Sequence, residues 1–170
     1  MICMFIWSGC AGSGTSANGN DPADIHAAVA RGDEAALTNY LSGDNDINVK
    51  DPFGGSSPLI TAAVFGQTEM AKRLIDAGAD INFRNNEGST ALISAAFFGR
   101  REIVELLLAA GADKRIKNKY GATAYDSVAA PFSDVKSTYD MIVQALEPMG
   151  LKIDYAYLEK VRPQIAELLR

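Results

Sequence analysis

Apolar residues recur along this chain at helical spacing, in short bursts separated by glycine and Asx turns. Met70, Leu74 and Ile75 form one stripe, and Ile103, Leu106 and Leu107 form the next. Each stripe has the three-to-four-residue period of an amphipathic helix with one buried face. Small pairs, Ala62-Ala63 and Ala95-Ala96, mark helices that neighbours must approach closely. Gly66 and Gly99 predict the turn after a first helix, and Gly78 and Gly111 the end of a second, where a left-handed residue terminates a helix without a Cβ clash. Thr90 and Thr123 are suited to N-cap first helices through their hydroxyls. Asp51, Asn85 and Asn118 open turns in which the side chain bonds the local backbone.

These segments are copies of one another. Residues 59–82, LITAAVFGQTEMAKRLIDAGADIN, align with 92–115, LISAAFFGRREIVELLLAAGADKR, at an offset of 33. An earlier copy spans 25–48, at an offset of 34, and a fourth opens at 116–126 and then departs. One such unit cannot bury its own apolar face, so copies must stack.

Beyond the repeats the pattern changes. A first helix over Thr123–Ala130 is predicted to stop at Pro131. A second amphipathic helix fits Asp134–Glu147, with Val135, Tyr139, Ile142, Val143 and Leu146 on one side. A last segment starts near Asp154 with Leu158, Val161, Ile165, Leu168 and Leu169 apolar, and Pro163 is expected to kink or divide it. The extension 131–170 either seals the last repeat or offers a partner-binding helix.

The repeat resembles the ankyrin repeat. The family's TPLH segment is matched by Ser57-Pro58-Leu59-Ile60, Thr90-Ala91-Leu92-Ile93 and Thr123-Ala124-Tyr125-Asp126, and its GAD segment by Gly78-Ala79-Asp80 and Gly111-Ala112-Asp113. The resemblance covers roughly 24–130. It implies an all-α ankyrin-repeat solenoid of about four repeats (21–130) with a helical C-terminal extension (131–170). It also implies a protein partner held on the concave face, built of finger tips and first helices. Transferred by register, the partner-binding positions are Arg31, Phe53, Val64, Phe65, Arg84, Glu87, Phe97, Phe98, Lys117 and Tyr120. Phe65 and Phe98 share a register and predict an aromatic ladder, which either anchors a partner or packs between repeats. His26 matches the family's structural histidine, which bonds neighbouring loops.

Composition then narrows the chemistry. In 170 residues, 21 acidic side chains exceed 16 basic ones, for a net charge of −5, which argues against a general nucleic-acid binder. A single His and two Cys, both in the first ten residues, exclude a Cys/His zinc site in the body. No nucleophile–His–acid motif and no glycine-rich phosphate loop is present, so a non-catalytic module without cofactor or metal is expected. Residues 1–20 combine a short apolar run, Ile2–Trp7, with Ser8-Gly9-Cys10 and a Gly/Ser/Asn linker. This resembles a bacterial lipobox, in which Cys10 would be lipidated; the alternative is a plain thiol in a tail. A lipidated Cys10 implies a periplasmic, membrane-anchored lipoprotein, monomeric by itself. Its membrane contact would run through the lipid alone. Bacterial ankyrin lipoproteins of this size resemble immunity proteins that block a rival's toxin. A periplasmic scaffold, a chaperone-like enzyme partner and a cytosolic adaptor are the alternatives.

Overall fold

The structure, a computed structural model, describes residues 22–170. The expectations for residues 1–20, Cys10 included, lie outside the described residues. Nine α-helices are present among the described residues, and no strand. They are α1 (Pro22–Arg31), α2 (Glu34–Ser42), α3 (Pro58–Phe65), α4 (Thr68–Asp76), α5 (Ala91–Phe97), α6 (Arg101–Ala109), α7 (Asp126–Ala129), α8 (Phe132–Leu146) and α9 (Tyr155–Leu169).

Local chemistry sets the helix ends. Ser57 and Thr90 each accept a backbone N–H three residues on, from Ile60 and Ile93, and so N-cap α3 and α5. Gly66 and Gly99 follow those helices at φ of +73° and +68°. The fingers repeat one device. Asn85 Oδ1 accepts the N–H groups of Glu87 and Ser89, and Asn118 Oδ1 those of Tyr120 and Ala122. Asp51 holds Phe53, Gly54 and Ser56 in the same way. Main-chain bonds then join finger to finger, Asn86 N–H to Gly54 O and Lys119 N–H to Glu87 O, both at 2.9 Å.

Helices α1, α3, α5 and α7 stack as an inner layer, with α4, α6 and α9 behind them and α2 against α1. The stripes point into this double layer. Met70, Ala71 and Leu74 are buried on α4, and Ile103, Val104 and Leu107 on α6. Val104 takes the place expected of Leu106, which is half-buried, because the helix turns its 103–104–107 edge to its neighbours. Truncating such a side chain to alanine typically costs about 2–5 kcal/mol.

The C-terminal region departs from the expected layout in three ways. Helix α7 spans only Asp126–Ala129. Thr123 and Asp126 cap it reciprocally: Asp126 N–H reaches Thr123 Oγ1 at 3.3 Å, and Thr123 N–H reaches Asp126 Oδ2 at 2.8 Å. Next, α9 rather than α8 stands beside α6 and α7, in the position of a second helix of the fourth repeat. Residues 131–154, carrying α8, are therefore inserted between the two helices of that repeat. Finally, Pro163 does not divide α9, which runs unbroken from Tyr155 to Leu169. Pro163 is exposed, as is Glu159, whose carbonyl the ring deprives of its usual partner, so water can serve that group.

Candidate functional site

One register position organises the inner layer. The carbonyls of Ala30, Val64, Phe97 and Ala130 sit at the C-terminal end of successive first helices, where backbone acceptors are orphaned. Each receives a side-chain donor, the first three from the following unit and the last from the second helix of the same repeat. Gln67 Nε2 serves Ala30 at 2.8 Å, and Arg100 serves Val64 at 3.2 Å. The Tyr139 hydroxyl serves Phe97, and Arg162 serves Ala130 at 3.0 Å. Sequence comparison misses this series, because the four donors are Gln, Arg, Tyr and Arg and the last two leave the repeat register.

Tyr139 extends the series into the inserted segment. Its ring stacks on Phe97, with centroids 4.6 Å apart. Its hydroxyl donates to Phe97 O and accepts from Arg162 at 2.7 Å. Burial pushes that hydroxyl up to about 12, so it remains a donor at physiological pH. The middle of helix α8 thus lies over the third repeat. Its C-terminal end, Leu146, continues into the 3-10 turn Glu147–Met149, and both reach the second repeat. There Leu146, Pro148 and Met149 face Ala30, Arg31, Phe53, Val64 and Phe65 across a cavity of about 450 Å³. The extension therefore lies along the inner helices as a strap, besides closing the end of the stack.

The residues transferred by register divide accordingly. Arg31, Phe53, Val64 and Phe65 line the cavity. Phe97 is taken up by Tyr139, and Phe98 lies edge-on to Phe97 at 5.1 Å. Among the described residues no ring contact joins Phe65 to Phe98, so the expected aromatic ladder does not form. Its upper rung is turned into the Phe97–Tyr139 cluster. Four of the finger residues form two pairs across the finger row, Tyr120 with Glu87 and Arg84 with the Lys117 carbonyl. Tyr120 donates to Glu87 at 2.7 Å, and Arg84 reaches Lys117 O at 2.9 Å and Gly88 O at 3.3 Å. The Lys117 side chain is exposed nearby.

His26 closes the cavity floor and is 3% exposed. Its Nε2–H donates to Val49 O at 3.1 Å, and the Thr61 hydroxyl donates to Nδ1 at 2.8 Å, which defines the neutral tautomer. Burial holds its pKa below 6.5. Below pH 6.5 the unfolded chain binds a proton that the folded chain refuses. The contribution of His26 to stability is thus full above pH 6.5 and is lost as pH falls toward the lowered folded value. Melting curves between pH 7.5 and 5.5 should show a larger loss for the wild type than for His26→Asn. Parallel losses in the two proteins would contradict this.

Among the described residues no cluster of His, Cys, Asp and Glu is arranged to hold a metal, and no helix is long and apolar enough to cross a membrane.

The stacked helix pairs, linked fingers and capped inner helices define an ankyrin-repeat stack. The family model for ankyrin repeats in three copies matches residues 25–118, more than half of the chain, and the chain belongs to that family. Chicken inversin (Gallus gallus) is 31% identical over 79 residues, which are 46% of this chain and 7% of inversin. The crystal structure of the ankyrin repeat domain of Bcl-3, a member of the IkappaB protein family, superimposes with a TM-score of 0.58 at 32% identity. That match covers 61% of this chain and 46% of the Bcl-3 chain. The chain thus spans under half of either relative, and both likenesses concern the repeats. Ankyrin repeats are protein–protein interaction modules, and the fold is typically non-catalytic.

Proposed function

We propose that this protein is a non-catalytic module that seizes one protein partner on the surface formed by its fingers, inner helices and strap. The observation that carries this reading is the cavity of about 450 Å³ on that surface, walled by Phe53, Val64, Phe65 and Met149 and bordered by Arg31. Aromatic residues and arginine are the side chains that most often anchor interfaces. The capped repeats are stiff, so binding requires little ordering of this chain.

The finer reading is an immunity protein, anchored through Cys10 in the periplasm, that neutralises a delivered toxin by covering it. The net charge of −5 supports a basic partner surface, because complementary charge raises the association rate at low salt. Capture of the partner from native cells, followed by identification, tests this directly; a secreted hydrolase is the expected catch. Phe65→Ala should then weaken the complex by about 2 kcal/mol. Phe98→Ala should instead lower the melting temperature and leave affinity unchanged. Equal affinity losses for both would contradict the division. Palmitate labelling that disappears in Cys10→Ser tests the anchor.

A further inference from the structure

The cavity is selective for charge as well as shape. Two of its three titratable lining residues are already engaged. His26 is bonded by Thr61 and Val49, and the Asp51 carboxylate accepts three backbone N–H groups. Arg31 differs. Among the described residues no carboxylate lies within ion-pair distance of it. Nor is it needed to close α1, whose last carbonyls are served by others. Gly32 N–H takes Val29 O, Asp33 N–H takes Ala28 O, and Gln67 takes Ala30 O. An exposed guanidinium therefore stands beside an apolar hollow, and among the described residues no carboxylate is paired with it.

The far wall is fixed rather than loose. Gly150, at φ +92°, reverses the chain after Met149, and Leu151 N–H closes onto Leu146 O at 3.2 Å. Leu151 is 1% exposed, and Arg100 binds Lys152 O at 3.4 Å. Leu146, Pro148 and Met149 are thereby held at a set distance from Val64 and Phe65. A volume of about 450 Å³ lies within the roughly 300–1,000 Å³ range of preformed ligand sites.

We propose that this cavity receives a large apolar side chain of the partner, presented beside a carboxylate that pairs with Arg31. The inference rests on the protein-recognition reading and adds the sequence chemistry that the partner must carry there: an aromatic or long aliphatic residue next to Asp or Glu. This local preference opposes the overall acidity of the chain, so it confers specificity rather than steering.

Two blocked peptides test it, acetyl-Gly-Glu-Trp-Glu-Gly-amide and its counterpart with Lys in place of Glu. Each is titrated into the isotopically labelled full chain and followed by NMR. The acidic peptide should shift the amides of Ala30, Arg31, Val64, Phe65 and Met149, and bind about three-fold or more tightly than the basic one. Arg31→Glu should reverse that order. Ala30→Trp, which fills the hollow, should abolish the shifts, and Met149→Asp on the strap should do the same without touching the repeats. The proposal is overturned by any of three results: equal binding of the two peptides, shifts centred elsewhere or absent, or an unchanged order in Arg31→Glu. A captured partner whose affinity ignores Arg31→Glu would likewise remove the cavity's role while leaving protein recognition intact.

Discussion

Gly99→Ala should lower stability by about 2–4 kcal/mol, and Gly111→Ala by only about 1–2 kcal/mol. Both glycines are left-handed, at φ of +68° and +86°. Both variants therefore bear the cost of putting a Cβ in that region, about 1–2 kcal/mol. They differ in what the new carbon meets. At Gly111 nothing lies within 4 Å. At Gly99 the carbon would stand 2.6 Å from Leu158 Cδ1 and 3.1 Å from Val161 Cγ1. Those side chains belong to α9 and are buried, so relief requires them to repack or the helix to shift. For a chain of this size each kcal/mol moves the melting temperature by roughly 2–4 °C, so the two variants should separate clearly in thermal unfolding. Matching losses would mean that α9 does not press on this turn, and the assignment of α9 as the fourth repeat's second helix would fail.

The second large effect belongs to Arg162, which is 2% exposed yet has no carboxylate partner among the described residues. Its guanidinium is held by Tyr139 Oη and Ala130 O, and its Nε has no hydrogen-bond partner. Arg162→Ala removes both bonds, takes the donor from Ala130 O and leaves a void where a buried side chain stood. A loss of about 3–5 kcal/mol is expected, at the upper end for a single substitution. Tyr139→Phe should cost about 1–3 kcal/mol, because Phe97 O then loses its donor. The double variant should be less destabilised than the sum, by about 0.5–3 kcal/mol, since the two side chains share one network. Denaturant titration of the four proteins completes the cycle. Strict additivity would show that the strap and the last helix are stabilised independently.

Both sites lie where sequence reading is weakest. The repeats were legible because their constraints are local and recur: a hydroxyl before α3, α5 and α7, a glycine after α1, α3 and α5, an Asx residue in each finger. Those residues act within a few positions of themselves, so a fixed offset exposes them. The segments 134–147 and 154–169 defeat that reasoning. Each has an apolar side at helical spacing, and such a pattern states that a face is buried without stating against what. Nothing in the order of residues distinguishes the helix that completes the fourth repeat from the one laid across the inner layer. Pro163 misleads for a related reason, since its penalty depends on whether the deprived carbonyl faces water.

The binding surface divides along the same line. Register alone marks Arg31, Phe53, Val64 and Phe65 as neighbours on one face, because stacking at a constant offset aligns them. It marks Phe97, Phe98, Glu87 and Tyr120 equally. Only the folded chain separates the two groups, by carrying Tyr139 onto Phe97 and Tyr120 onto Glu87.

By itself, then, the sequence determined the helix pairs, their caps and their stacking, because short-range hydrogen bonds and a repeated apolar stripe suffice to impose them. The tertiary structure alone decided which helix ends the stack, where the strap lies and which aromatics remain on the cavity wall. Those outcomes depend on contacts between residues 23 to 63 positions apart, such as Arg162 with Tyr139 and Arg101 with Gln164. Pairings at that distance are selected by the competition among all available apolar faces, not by any one segment's pattern.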